Sequence, residues 1–225
     1  MCGRFAFFSP RETVTELFGV DIPLEFHPRY NITPSQPVVA IRADDGGKPS
    51  LAMLRWGLIP SWARDPKIGQ RLINARAETV HEKPSFRAAF KRRRCVILAD
   101  GFYEWRKNAD GKQPYFIAAN DRAPFAMAGL WERWTAQDEP METCTIITRA
   151  ASPVMQPLHA RMPVILSVQH ALQWISPNDR DVSALRQEIA VGAEAQLTYW
   201  AVSRDVNNPR NDSADLILDA SAPGR

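Results

Sequence analysis

Apolar and polar positions along the chain fall into many short segments separated by turn residues. Val38 to Arg42 and Leu51 to Trp56 read as strands, and the Asp44-Asp45-Gly46-Gly47 turn between them predicts an antiparallel hairpin. Cys95 to Ala99 is apolar throughout, as expected of a central strand. Further strands are predicted at Tyr103 to Arg106, Tyr115 to Ala118, Phe125 to Leu130, Thr143 to Thr148, Leu197 to Val202 and Leu216 to Leu218. The Asn108-Ala109-Asp110-Gly111 turn links the first two of these.

Helices are fewer. Ser9-Pro10-Arg11-Glu12 has the form of a capping box with proline at the first helical position, and Gly19 closes that segment. Pro84 to Arg93 fits a short helix with Phe86 and Phe90 on one face. Ser152-Pro153 and Ser167 read as helix starts, the second leading to Trp174, and Val182 to Ala190 predicts a further helix. Many short strands with interspersed helices and no βαβ rhythm predict an α+β fold with a curved, mostly antiparallel sheet or barrel-like core. The expectation is one domain over residues 1–225, with Asp219 to Arg225 a loose tail.

Composition narrows the classes. At 225 residues, 45% hydrophobic and 24% charged, the chain has the make-up of a soluble globular protein able to bury a core. A net charge of +3 means that any polyanion must be met by a local basic groove rather than by the whole surface. The three cysteines, at positions 2, 95 and 144, make no C-x-x-C or Cys/His cluster, which argues against structural zinc and for a reducing compartment. No run approaches the roughly 20 apolar residues of a membrane span, and the start lacks a signal-peptide run. The expected location is the cytoplasm, with no metal and no organic cofactor.

The chemistry begins at Met1-Cys2-Gly3-Arg4-Phe5. Removal of Met1 would leave Cys2 with an α-amine that titrates far closer to neutrality than a lysine, and with a thiol on the adjacent carbon. A neutral amine attacks an aldehyde to give a Schiff base, and the thiol then closes a five-membered thiazolidine with the advantage of an intramolecular reaction. On this dipeptide alone, the blander reading of Cys2 as an ordinary residue near the chain start is the better one.

Six ordered motifs change that balance. They are Met-Cys-Gly-Arg-Phe at the start, Arg29-Tyr30-Asn31 with Pro34, Trp56-Gly57-Leu58-Ile59-Pro60, Ile73-Asn74-Ala75-Arg76-Ala77-Glu78-Thr79, Asp100-Gly101-Phe102-Tyr103-Glu104-Trp105, and His159-Ala160-Arg161-Met162-Pro163. Through them nearly the whole chain resembles the SOS response-associated peptidase family. The resemblance implies a domain that binds single-stranded DNA and forms a covalent thiazolidine between its N-terminal cysteine and an abasic deoxyribose, with Cys2, Asn74, Glu104 and His159 as the functional set.

Each residue also has a reading of its own. Glu104 lies among Phe102, Tyr103 and Trp105, aromatic surroundings that would partly desolvate the carboxylate and suit it to moving protons; the alternative is a surface carboxylate paired with Arg106 or Lys112. His159 could protonate the sugar ring oxygen as the closed hemiacetal opens, and Pro157 and Pro163 suggest a fixed loop around it. Asn74 offers both a donor and an acceptor to the Cys2 amine or a sugar oxygen, or else serves as a turn residue.

For DNA contact the candidates are Arg4, Arg76 and Arg161 as phosphate ligands, with Asn31, Pro34, Trp56 and Trp62 around them; Trp56 could equally belong to the core. The Lys91 to Arg94 run reads first as a solvated helix end. An accessible groove makes a monomer the simpler expectation. Two other functions use the same residues: a cysteine peptidase with Cys2 as nucleophile and His159 as base, or a non-covalent single-strand binding module in which Cys2 is incidental.

Overall fold

A computed structural model describes residues 2–22, 26–109, 111–136, 139–177, 180–192 and 196–221. The chain opens with β1 (Phe5–Phe7), α1 (Arg11–Phe18), β2 (Arg29–Ile32), β3 (Pro37–Ala43) and β4 (Pro49–Trp56). A 3-10 turn over Pro66–Arg71 leads to β5 (Asn74–Arg76), followed by α2 (Arg87–Arg92), β6 (Arg94–Ala99), β7 (Gly101–Asn108) and β8 (Gly111–Ala119). Next come β9 (Phe125–Trp134), β10 (Met141–Ala150), β11 (Arg161–Pro163) and β12 (Ile165–Leu166). The chain then runs through α3 (Val168–Ile175), α4 (Val182–Val191) and β13 (Leu197–Ala201), with 3-10 turns at Arg204–Asn207 and Ala214–Ile217.

Two sheets result, and the expected α+β class is what forms. In the larger sheet β3 pairs with β4 and β6, β6 with β9, and β9 with β10, all antiparallel, while β10 also pairs with β4 in parallel. That last pairing closes the path β4-β3-β6-β9-β10 into a five-stranded barrel, which leaves no open edge between these strands. β6 is buried at every position, Cys95 to Ala99 as their apolar character requires and Arg94 despite its charge. The second sheet runs β13-β8-β7-β1-β2 with every neighbour antiparallel.

Several local readings change. Ser9 does not cap α1: its hydroxyl and amide both go to the Asp100 carboxylate, and Pro10 holds the cap position without a side-chain bond. The helix does stop at Gly19, in the left-handed conformation at φ 68°. The helix expected from Pro84 to Arg93 spans only Arg87–Arg92, with Phe86 and Phe90 both buried as their spacing predicts. Ser152-Pro153 starts turns rather than a helix, and Leu216–Leu218 falls in a 3-10 turn rather than a strand. Ser167 does cap α3, accepting from the His170 amide. Asp110 of the predicted turn, and residues 222–225 of the predicted tail, lie outside the described residues.

The basic run at the end of α2 divides. Lys91 and Arg92 are solvated, but Arg94 is buried, donating from Nε to the Trp174 carbonyl at 2.7 Å and from Nη1 to the Phe90 carbonyl. Its charge closes backbone groups at the meeting of α2, β6 and α3 instead of facing water.

Candidate active site at the chain start

β1 carries the chain start into the junction of the two sheets. Phe5 pairs with Phe102 of β7, the Tyr103 amide donates to the Arg4 carbonyl at 2.9 Å, and the same register places Gly3 opposite Glu104. Cys2 is fully buried, its thiol directed at the Arg4 carbonyl 3.9 Å away. Asn74, the first residue of β5, donates from Nδ2 to the Cys2 carbonyl at 2.7 Å. Its Oδ1 is buried with no hydrogen-bond partner among the described residues.

Electrostatics tie in the third residue. Burial pushes the Cys2 thiol well above its ordinary range, and the nearby Glu104 carboxylate pushes it further. Glu104 is 4% exposed, which excludes the surface carboxylate paired with Arg106 or Lys112. Cys2, Asn74 and Glu104 therefore converge from the segment leading into β1, from β5 and from β7, three parts far apart in the chain.

His159 joins this group indirectly. It precedes β11, and its Nδ1 lies 2.9 Å from the Arg161 amide nitrogen and 3.1 Å from the Arg161 carbonyl oxygen, so the backbone of Arg161 fixes the ring. Arg161 in turn grips both oxygens of Glu78 at 2.9 Å and the Thr148 carbonyl at 2.5 Å. Since Thr148 pairs with both Arg76 of β5 and Pro163 of β11, β10 holds the His159 segment beside the strand that carries Asn74. Glu78 was not singled out in the sequence, although its place two residues after Arg76 in the same motif was the available signal. The Arg161 fork bonded to it holds its carboxyl below the usual range.

The expected DNA ligands divide by exposure. Trp62 is 58% exposed, Arg76 is exposed and Pro34 is half-buried. Trp56 is a correction: it is fully buried, edge-on to Phe5 at 5.2 Å, with its indole N–H given to the Ile73 carbonyl at 2.9 Å. No base can stack on it, but it braces β1 against the residue before Asn74 and so fixes the spacing between Cys2 and Asn74. Asn31 is also buried, its amide donating to the Val206, Asn208 and Asn211 carbonyls and its Oδ1 accepting from Arg4 at 2.7 Å. Arg4 gives a second bond from Nη1 to the Val206 carbonyl at 2.6 Å and lies over Trp105. Among the described residues, no group of three or more His, Cys, Asp or Glu side chains could hold a metal ion, and no helix is long and apolar enough to cross a membrane.

A closed barrel joined to an antiparallel sheet thus brings Cys2, near the chain start, together with Asn74 and the buried Glu104. The chain belongs to the SOS response associated peptidase (SRAP) family, whose model matches residues 1–209. It is 44% identical over 222 residues to the abasic site processing protein YoqW of Bacillus subtilis, covering 96% of this chain and 99% of that one. It is 33% identical over 225 residues to the abasic site processing protein YedK of Escherichia coli, with 96% and 99% covered. A crystal structure of a protein from Bacteroides thetaiotaomicron superposes with a TM-score of 0.86 at 25% identity, over 97% of this chain and all of that one.

Proposed function

We propose that this protein processes abasic sites by capturing them covalently in single-stranded DNA, acting as a monomer through Cys2 after removal of Met1. The observation that carries the reading is the 2.7 Å bond by which Asn74 holds the Cys2 carbonyl while the buried Glu104 stands beside the thiol.

The steps balance without a cofactor. The Cys2 amine attacks C1 of the ring-opened sugar aldehyde, and loss of one water gives the imine. The Cys2 sulfur then adds to the imine carbon, its proton passes to the nitrogen, and the thiazolidine ring closes. A thiol held in its protonated form needs a base at the second step, and we assign that role to Glu104, whose charge acts on the thiol. The same carboxyl can give a proton to the departing hydroxyl. His159, its ring held by the Arg161 backbone, is assigned to ring opening at the sugar oxygen.

The peptidase reading fits less well. A peptidase cysteine works as a thiolate with a depressed pKa, whereas burial and Glu104 push the Cys2 thiol the other way. While Met1 remains attached, the α-nitrogen of Cys2 is an amide and forms no imine, so removal of that residue is the one peptide cleavage the mechanism requires. The deciding experiment is intact mass spectrometry of protein lacking Met1 after incubation with single-stranded DNA bearing one abasic site. The expected result is the summed mass less one water, absent with intact-base DNA and with Cys2→Ser. Reversible binding alone, unchanged by Cys2→Ser, would leave a simple binding module.

A further inference from the structure

Glu78 stands in the turn that follows β5, where the Thr79 and Val80 amides donate to the Arg76 carbonyl at 3.1 and 2.9 Å. Its two carboxylate oxygens accept from Nη1 and Nη2 of Arg161, each at 2.9 Å. The same guanidinium donates from Nη2 to the Thr148 carbonyl at 2.5 Å and from Nε to the Thr148 hydroxyl at 3.3 Å. The Ala77 amide donates to that carbonyl as well, at 2.9 Å. One arginine side chain thus ties together the turn after β5, the strand β10 and the first residue of β11.

The backbone of that residue is what fixes His159, whose Nδ1 lies 2.9 Å from the Arg161 amide nitrogen. Arg161 forms the last register pair, with Ala150, of the ladder between β10 and the three-residue β11. A ladder frays first at such an end, so the anchors of the side chain decide how firmly the backbone is held there. The strongest of them is the pair with Glu78, which joins opposite charges through two parallel bonds. It is also the ion pair of Arg161 among the described residues, and the Arg161 side chain is only 17% exposed. The Glu78 side chain is 53% exposed and borders an open cavity of about 610 Å3 beside Ala77, Arg149, Ser183 and Arg186. Replacing it therefore disturbs no core packing and acts through Arg161.

Resting on the reading of His159 as the acid of ring opening, we propose that Glu78 is a positioning residue for that step: by clamping Arg161 it holds the His159 imidazole where it meets the sugar oxygen. Glu78 touches neither the sugar nor Cys2 in this role. Imine formation and thiazolidine closure do not depend on it. The clamp governs capture of the closed-ring sugar and is indifferent to an aldehyde that is already open.

The test uses Glu78→Gln in the full chain lacking Met1, with protein in saturating excess so that binding does not limit the rate. Glutamine keeps the size but offers a single acceptor to the arginine fork. Single-turnover capture is timed on two single strands, one bearing an abasic deoxyribose and one bearing in its place an alkyl aldehyde with no hydroxyl to close a ring. The variant should be slower by about tenfold on the abasic strand and within about twofold of the wild type on the open aldehyde. In an Arg161→Gln background, adding Glu78→Gln should change the abasic rate by less than about twofold, because the two side chains act as a unit. Equal slowing on both strands, an unchanged rate on the abasic strand, or full multiplication of the two single effects overturns the proposal. Hydrogen exchange in the absence of DNA reads the clamp by itself: the Arg161 amide should exchange faster by about tenfold in Glu78→Gln, with the amides of β6 and β9 unchanged. If the wild type captures neither strand, the capture reading fails, and unchanged exchange at Arg161 then overturns the clamp as well.

Discussion

Asn74 holds Cys2 from across the sheet junction: its Nδ2 donates to the Cys2 carbonyl at 2.7 Å, and its Oδ1 is left buried without a hydrogen-bond partner among the described residues. A donor committed to one backbone oxygen and an acceptor held ready on the other side suit an amine or a sugar hydroxyl arriving at Cys2. Asn74→Ala removes both. One such bond contributes about 1–1.5 kcal/mol, so capture should slow by about tenfold in single-turnover kinetics. Asn74→Asp should be slower still, because a carboxylate repels the Cys2 carbonyl and adds a second negative charge beside Glu104. Wild-type rates in both variants would remove Asn74 from the mechanism.

Glu104 acts on the thiol in two opposing ways. Its charge raises the pKa of Cys2, and in the proposed mechanism its carboxylate is the base assigned to take the thiol's proton. Glu104→Gln keeps the shape and removes both effects. Capture should fall by about 10²–10⁴, the usual worth of a positioned proton carrier. The pKa of Cys2 should move down, because the negative charge that raised it is gone. Alkylation of Cys2 by iodoacetamide across a pH series reads this directly: its midpoint should lie at lower pH in the variant. Slower capture with an unmoved midpoint would mean that Glu104 acts elsewhere than on the thiol.

Two tryptophans from one stretch of sequence make a contrasting pair. Trp56→Ala empties a fully buried site and should cost about 3–5 kcal/mol of stability. Trp62→Ala changes a side chain that is 58% exposed and should move stability by no more than about 0.5 kcal/mol. The order reverses for binding, where Trp62→Ala should weaken single-strand affinity by about 1–3 kcal/mol. Thermal melting beside a fluorescence titration separates the two. A Trp62 variant that melts early and binds normally would place that residue in the fold rather than on the DNA.

How far these roles were legible in the sequence depends on the range of the forces involved. The β3–β4 hairpin, the apolar Cys95 to Ala99 run of β6 and the Gly19 stop follow from local pattern, and the structure has all three. β1, β2 and β5 span 3, 4 and 3 residues, too short for periodicity to register, yet Cys2, just before β1, and Asn74, at the start of β5, are brought together through them. The Ser9 capping box yields to a partner 91 residues away, and Asn31 is claimed by carbonyls 175 to 180 residues on. Trp56 read as core or as a stacking surface with equal ease, since composition carries no burial. The site residues were visible only as motifs; their convergence is a property of the strand pairing.

Asp100 gives a test of how the chain start is held. Its Oδ2 accepts the Phe8 and Ser9 amides at 2.6 and 2.8 Å, fixing the backbone where β1 ends and α1 begins. Burial raises its pKa above the usual carboxylate value, and the bonds from Ser9 and Phe8 only partly offset that. A raised carboxyl binds its proton more tightly in the folded chain than in the unfolded one, so this group adds stability as pH falls through the folded value toward the ordinary one, near 3.8. At neutral pH the buried charge is a cost. Asp100→Asn, with one oxygen for the two amides and an NH2 for the Ser9 hydroxyl, should therefore match or exceed the wild type in melting temperature at neutral pH and lose that advantage in acid. Asp100→Ala leaves two amides unpaired and should cost about 2–4 kcal/mol, at about 2–4 °C of melting temperature per kcal/mol for a chain of this size. Since Phe8 lies only six residues beyond Cys2, the alanine variant should also capture more slowly while Asp100→Asn does not. Melting curves at neutral and acid pH, paired with adduct kinetics, check both halves; equal capture by the two variants would show that Cys2 is placed by Asn74 and Trp56 alone.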